Sequence, residues 1–147
     1  MFWPECRHGD VASTFNHGTG HDVGYLMNIH EASCGIPLRK SVKKEQAPLM
    51  DGLVITDEPG IYIEGSHGVR TENELLVRKG PKNEYGQFLY FEPITYVPID
   101  LDAIIPEMLT DQEREQLNEY HKKVYEIVAP HLSDEEREWL REYTRVI

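Results

Sequence analysis

The fold of this 147-residue chain is decided by the stretch LVITDEPGIYI at residues 53–63. Its opening residues are mostly β-branched and favour a strand, and the Pro59-Gly60 pair that follows is a strong turn signal. Side chains alternate again in residues 69–78, and aromatic and β-branched residues fill residues 88–97. Strands this closely spaced, with short turns between them, predict an antiparallel sheet.

The chain changes character after Pro98, where the apolar residues take up the spacing of a helix. Capping boxes at residues 110–113 and 133–136 predict two helix starts, because a hydroxyl and a carboxylate so arranged satisfy free backbone amides. Apolar stripes follow both boxes: Leu117, Tyr120, Val124, Ile127 and Val128, then Trp139, Leu140 and Tyr143. We therefore expect an α+β fold, with a first domain at residues 1–98 and an acidic helical extension at residues 99–147.

The acidic composition of the chain limits the kinds of molecule that it can bind. The 15 basic and 26 acidic residues give a net charge of −11, which disfavours binding to nucleic acid phosphates or to an anionic membrane. No apolar run approaches the roughly 20 residues of a membrane span, and the first residues lack a signal-peptide pattern. The two cysteines lack metal-type spacing and suit a reducing compartment. We therefore expect a cytoplasmic protein without nucleic acid or membrane partners.

The densest group of reactive side chains lies in the glycine-rich residues 16–31. His17 and His21 have the spacing of a zinc-protease helix, but the nearby glycines oppose a stable helix and no glutamate follows His17. A loop that presents these two imidazoles and His30 to a cleft is the more natural interpretation. An ordinary surface or core histidine remains the alternative for each residue taken alone.

Two carboxylates extend this set. Glu58 is fixed at a strand end by the Pro-Gly turn, and Glu72 lies in the alternating run beside Arg70. Each alone is more simply a solvated acid, but together with His21 they make a set of one imidazole and two carboxylates. Such ligands suit Mn²⁺, Zn²⁺ or Co²⁺, which would lower the pKa of a bound water and hold a carbonyl for attack.

Five ordered motifs resemble the Xaa-Pro aminopeptidases (aminopeptidase P) of the pita-bread metallopeptidases. They read HGTGHDVG at residues 17–24, NIHE at 28–31, TDEPG at 56–60, GVRTEN at 68–73 and FEPITYVPI at 91–99. The tail at residues 117–121 and 139–140 is similar to the C-terminal helices of the longer members. The resemblance implies a partial pita-bread fold, with a curved antiparallel sheet and a C-terminal helical extension.

The resemblance also implies the metal ligands. His21 corresponds to the single histidine ligand of a dinuclear site, Glu58 to a glutamate on the same ion, and Glu72 to the bridging glutamate. The implied cofactor is two Mn²⁺ with a bridging hydroxide. The implied reaction is hydrolysis of the bond between an N-terminal residue and a following proline.

Three further residues receive roles in the substrate cleft. His17 and His30 correspond to non-ligand histidines that line it, with His30 as a proposed proton shuttle. Arg70 resembles the arginine that orients the cleft. The implied substrate is a peptide with proline at the second position.

The sequence departs from the family pattern in ways that affect the metal. Two aspartate ligands and an upstream histidine are not matched before His17, so we expect about the second half of a catalytic domain. Asp22 replaces the usual glycine and Thr71 the usual aliphatic residue. We expect at most one ion, weakly held as Mn²⁺, Zn²⁺ or Co²⁺, and an isolated chain that is inactive.

Two functions therefore stay open. The chain is either a C-terminal portion of an Xaa-Pro aminopeptidase or a non-catalytic pita-bread module for binding or dimerisation. Half a sheet exposes an apolar face and an unpaired edge, so we expect a homo-oligomer or a complementing subunit. A prolidase or a methionine aminopeptidase is a weaker match, since the motif at residues 91–99 and the C-terminal helices favour the longer type.

Overall fold

The computed structural model describes residues 17–31, 34–36 and 47–147, and it divides the chain into two compact units. One unit ends at Thr95 and holds the strands; the other spans Tyr96–Ile147 and holds the α-helices. The predicted order of an α+β protein, strands first and helices after, is confirmed. The domain boundary between residues 98 and 99 stays a prediction, because a compact unit need not fold alone.

Antiparallel pairings organise the first unit. Its strands are β1 (Gly20–His21), β2 (Gly35–Ile36), β3 (Val54–Asp57), β4 (Gly60–Ile63), β5 (His67–Arg70), β6 (Asn73–Asn83) and β7 (Gly86–Pro93). β3, β6 and β7 form one sheet in the order β3-β6-β7, β4 and β5 form a hairpin, and β1 pairs with β2. The core of the three-stranded sheet contains Ile55, Leu75 and Val77, with Ile55 directly opposite Leu75.

One predicted strand is two strands in the structure. The alternation over residues 69–78 predicts a single element, but Thr71 and Glu72 separate β5 from β6. The reason is pairing, because β5 pairs with β4 whereas β6 pairs with β3 and β7. The strand predicted at residues 88–97 likewise begins earlier and ends earlier, as β7.

The second unit is built on two capped helices, α1 (Asp111–Val128) and α2 (Asp134–Tyr143). Both predicted capping boxes are present. Glu113 N–H donates to Thr110 Oγ1 at 3.3 Å, and Thr110 N–H donates to Glu113 Oε2 at 2.7 Å. Ser133 and Glu136 repeat the arrangement at α2. Short 3₁₀ turns at Leu101–Ala103, Pro106–Met108 and Ala129–His131 complete the unit.

The helices enclose a small apolar core of Tyr120, Val124, Ala129 and Leu140. Of the apolar side predicted for α2, Leu140 is buried, whereas Trp139 is 56% exposed and its ring lies 4.4 Å from that of Tyr143. No helix in the described part of the chain has the length and apolar composition that crossing a membrane requires.

Adjacent residues of α1 hold the extended segment that precedes the helix. The Tyr120 hydroxyl donates to the Val97 carbonyl oxygen at 2.9 Å. The buried His121 ring accepts a hydrogen bond at Nε2 from Ile99 N–H at 3.0 Å. The segment is thereby tied to the helix inside one unit.

Candidate metal centre

His21 is positioned by an extended segment that runs beside β3. Glu58 N–H donates to the Thr19 carbonyl at 2.9 Å, and Val23 N–H donates to the Val54 carbonyl at 3.0 Å. The segment can approach this closely because residue 20 is glycine, since a Cβ there would lie 2.4 Å from the Thr56 carbonyl oxygen. His21 therefore lies on a strand and His17 at a bend before it, and neither lies on a helix, as the glycines predict.

The imidazole of His21 is held in one tautomer. Its Nδ1 lies 3.0 Å from the Asp22 carbonyl oxygen, which can only accept, so Nδ1 must carry the proton. In the neutral ring Nε2 then presents its lone pair, and this nitrogen lies 3.2 Å from Glu58 Oε1. Two acceptor atoms at this separation repel each other unless a proton or a cation neutralises them.

The carboxylate of Glu58 is fixed from two sides. The residue is only 7% exposed. The Thr56 hydroxyl donates to Oε1 at 3.0 Å, and Arg70 Nη1 donates to Oε2 at 3.0 Å. The oxygen that faces His21 is therefore oriented by Thr56, while Arg70 compensates the negative charge.

A chain of hydrogen bonds leads from Arg70 to His17 through Tyr62. Arg70 Nε donates to the Tyr62 hydroxyl at 2.8 Å, and that hydroxyl donates to His17 Nε2 at 2.9 Å. This direction holds for the neutral ring, in which His17 Nδ1 donates to the Gly18 carbonyl and Nε2 accepts. The hydrogen bond to Tyr62, together with the negative charges of Glu58 and Glu72, raises the pKa of Arg70.

The Tyr62 ring lies across two glycines of the β4–β5 hairpin. Tyr62 is directly opposite Gly68, and Gly60 is directly opposite Arg70. A Cβ at Gly60 would lie 2.3 Å from the Tyr62 hydroxyl oxygen, and a Cβ at Gly68 would lie 2.5 Å from Cδ1 of the ring. These two glycines leave the space that the phenol ring occupies.

The structure brings most of the predicted site residues into one set of contacts. The exposed His30 ring lies 4.3 Å from the His21 ring, although the two residues are separated by a loop. Glu72 is exposed between β5 and β6, and its charge acts on Arg70. Within the described ranges, no group of three or more His, Cys, Asp or Glu side chains is arranged to hold a metal ion. Glu72 as a third ligand therefore stays a prediction.

The sequence motifs did not predict that Thr56 and Tyr62 form hydrogen bonds with the site residues. A signal for Tyr62 was available, because alternation places it on one face with Gly60, and across a tight hairpin from Gly68 and Arg70. Thr56 gave no such signal, since its partner His21 is 35 residues away in the chain.

The chemistry of the donor pair fits a divalent cation. A neutral imidazole nitrogen and a carboxylate oxygen, both oriented by other contacts, are ligands that Mn²⁺, Zn²⁺ and Co²⁺ accept. A cation would also relieve the repulsion between the His21 and Glu58 acceptor atoms. The pair supplies two donors, which is fewer than a complete site needs.

Family models match most of the chain. The model described as metallopeptidase family M24 matches residues 3–79, and that for the C-terminal region of peptidase_M24 matches residues 87–147. Two relatives are each named "Probable Xaa-Pro aminopeptidase P". That of Botryotinia fuckeliana is 41% identical over 114 residues, which are 76% of this chain and 17% of the relative. That of Paracoccidioides brasiliensis is 42% identical over 113 residues, 75% of this chain and 18% of the relative.

A solved structure extends the likeness to the fold. The X-prolyl aminopeptidase of Caenorhabditis elegans, described as a cytosolic enzyme with a di-nuclear active site, matches 92% of this chain and 22% of its own. The TM-score is 0.80 and the sequence identity 33%. The predicted partial pita-bread fold is confirmed. The chain spans less than a quarter of the length of these relatives, and it belongs to metallopeptidase family M24.

Proposed function

We propose that the chain supplies the His21–Glu58 part of the active site of an Xaa-Pro aminopeptidase. Such an enzyme removes an N-terminal residue that precedes proline, and the peptide with proline second is the proposed substrate. The observation that carries the proposal is the 3.2 Å approach of His21 Nε2 to Glu58 Oε1, with both side chains oriented by other groups.

The proposed cofactor is Mn²⁺, with Zn²⁺ or Co²⁺ as alternatives. His21 and Glu58 would hold the ion, and Glu72 is the proposed third ligand. A bound ion of this kind supplies an activated water and a polarised carbonyl group. Because aspartate ligands are not matched in the sequence before His17, we propose that the chain alone holds at most one ion, weakly, and is inactive.

The neighbouring residues receive roles that follow from their contacts. Arg70 balances the charge of Glu58 and holds the Tyr62 hydroxyl, which in turn leaves His17 in a defined tautomer. His30 is exposed and its ring lies 4.3 Å from that of His21, a position that fits the proposed role of a proton shuttle. These contacts support His17 and His30 as cleft histidines and Arg70 as the residue that orients the cleft.

The proposed partner is a second copy or a complementing subunit that covers part of the first unit. Tyr85, Phe88 and Tyr90, in the hairpin formed by β6 and β7, are all exposed. Large exposed aromatic side chains this close together favour association. A cytosolic location is proposed by analogy with the C. elegans enzyme.

The second candidate is a non-catalytic module that binds or dimerises. Two observations favour it: the described residues form no group of three metal donors, and the β6–β7 hairpin exposes aromatic side chains. Under this alternative, the His21–Glu58 pair is an ion pair that stabilises the loop.

Metal binding separates the two candidates. Titration of the chain with Mn²⁺, followed by electron paramagnetic resonance, should give saturable binding that Glu58→Gln weakens about tenfold or more. Glu64→Gln is the matched control, because it makes the same charge change in the exposed turn after β4. Loss of binding in both variants, or no binding by the unmodified chain, would contradict the metal site.

Turnover is measured separately with Mn²⁺ and an Xaa-Pro peptide. We expect none from the chain alone. Turnover that Glu58→Ala abolishes would show that the chain is sufficient for activity, against that expectation. Absence of both turnover and metal binding, together with tight binding to an aminopeptidase subunit, would favour the non-catalytic module.

A further inference from the structure

We infer that Thr56 is a positioning residue that sets His21 and Glu58 as a metal-binding pair. The inference rests on the proposed function for its consequence, since the pair matters to catalysis only if it holds a cation. Its structural part, that one hydroxyl orients both residues, stands on contacts within the first unit.

The Thr56 hydroxyl is engaged on both sides. The residue is 3% exposed and lies in β3, opposite Glu74 of β6. Oγ1 accepts a hydrogen bond from His21 N–H at 3.0 Å and donates to Glu58 Oε1 at 3.0 Å. The His21 carbonyl, at 3.4 Å, is a longer alternative acceptor for the same proton. A single buried atom therefore connects the backbone of one proposed ligand to the side chain of the other.

Thr56 orients the carboxylate oxygen of Glu58 that faces the imidazole of His21. Glu58 Oε1 accepts from Thr56 and also faces His21 Nε2, whereas Oε2 is held by Arg70. Without the hydroxyl, the carboxylate keeps its bond to Arg70 but loses the contact that fixes Oε1. Rotation about the last side-chain bond then changes the separation of Oε1 and Nε2.

Thr56 also supplies a contact between two strands at the position of the imidazole. Backbone hydrogen bonds join the His21 segment to the β3 region at Thr19 and at Val23. Between these two positions, His21 N–H donates a hydrogen bond to Thr56 Oγ1. Loss of the hydroxyl would therefore loosen the backbone at His21 while the flanking backbone bonds remain.

The test compares Thr56→Val, which keeps the β-branched shape, with Thr56→Ser, which keeps the hydroxyl. The first readout is hydrogen exchange of the His21 backbone amide without metal, measured by NMR. We expect exchange about tenfold or more faster in Thr56→Val and close to the unmodified rate in Thr56→Ser. Thr56→Ala, which leaves space where valine fills it, should behave like Thr56→Val.

The Val77 amide reports whether the sheet is intact, because it donates to the Leu53 carbonyl at 2.8 Å in the same sheet. It should exchange at the same rate in all variants. Unchanged His21 exchange in Thr56→Val and Thr56→Ala, with Val77 protected, would overturn the structural part of the inference.

The second readout is the dissociation constant for Mn²⁺. Removing a group that orients a metal ligand typically weakens binding about 10–100-fold, so Thr56→Val should do so and Thr56→Ser should restore affinity. Equal affinity of Thr56→Val and the unmodified chain would overturn the positioning role. If the unmodified chain binds no Mn²⁺, the proposed metal function fails, and His21 amide exchange still decides whether Thr56 orients the segment.

Discussion

His121→Phe should destabilise the helical unit by removing one hydrogen-bond acceptor. The His121 side chain is fully buried, and its Nε2 receives Ile99 N–H at 3.0 Å. Phenylalanine fills the space of the ring but cannot accept, so Ile99 N–H is left without a partner. Leaving the half-buried Ile99 N–H unsatisfied costs roughly 1–3 kcal/mol. Loss of His121 Nδ1, which is buried without a hydrogen-bond partner among the described residues, offsets part of that cost, so a net loss of about 1 kcal/mol in the free energy of unfolding is expected.

Tyr120→Phe is the matched control, because it removes the neighbouring hydrogen bond and leaves the ring in place. Its hydroxyl donates to the carbonyl of Val97, a residue that is 61% exposed. Water can replace the hydroxyl at such a carbonyl, so the loss should lie near the net value of an ordinary hydrogen bond, about 0.5–1.5 kcal/mol. The two losses at neutral pH are therefore similar in size, and the dependence on pH is the clearer difference between the two variants.

Acidification should distinguish them further. Burial, and then the positive charge of Arg145, lower the pKa of His121 below its ordinary value of 6.5. Arg145 is itself paired with Asp102 at 3.3 Å. The folded state thus favours the neutral ring, whose stabilising contribution is complete above pH 6.5 and is lost as the pH falls through the lower folded pKa. Protonation of His121 Nε2 would also replace the hydrogen bond from Ile99 N–H by a repulsive contact between two N–H donors.

The assay is urea unfolding followed by far-UV circular dichroism, at neutral and at mildly acidic pH. The signal reports on this unit because it contains both described α-helices. The difference between the unmodified chain and His121→Phe should shrink on acidification, and the difference for Tyr120→Phe should stay constant. The reasoning is refuted if His121→Phe is as stable as the unmodified chain at neutral pH, or if its deficit is independent of pH.

Three other substitutions are predicted from single contacts. Gly20→Ala should lower the free energy of unfolding by about 1–3 kcal/mol in urea, because its Cβ would lie 2.4 Å from the Thr56 carbonyl oxygen; an unchanged midpoint would contradict this. Burial raises the pKa of Asp57, so the folded state favours the protonated carboxyl group and loses stability as the pH rises and this group ionises. Asp57→Asn should therefore be more thermostable than the unmodified chain at neutral pH, and the difference in melting temperature should vanish as the pH falls toward 3.8. Thr110→Ala should cost about 1 kcal/mol of helical stability and Thr110→Ser much less, as measured by circular dichroism, and equal losses would argue against the cap.

The helical unit was the most predictable part of the chain. Its signals are local, because a capping box is complete within four residues and an apolar stripe within a few turns. Thr110 and Ser133 therefore begin helices where the sequence places them. The exposed ring of Trp139 was less predictable, since burial depends on what covers a helix and not on its periodicity.

The site was predictable as a set of residues and less so as a geometry. Motifs identify His21, Glu58 and Arg70, and the structure places them in one line of contacts. The roles of Tyr62 and Thr56 depend on contacts across 45 and 35 residues of chain, which only the strand pairings reveal. The break of the alternating run at Glu72 has the same origin, because its two halves pair with different strands.

The phenol ring of Tyr62 packs directly against the backbone of Gly60 and Gly68. Its hydrogen bond to His17 therefore depends on the absence of a Cβ atom at both positions. A homologue with alanine at either position would lose that reach even with every histidine and glutamate intact. The hairpin glycines are thus the positions to inspect in related sequences for the hydrogen bond between Tyr62 and His17.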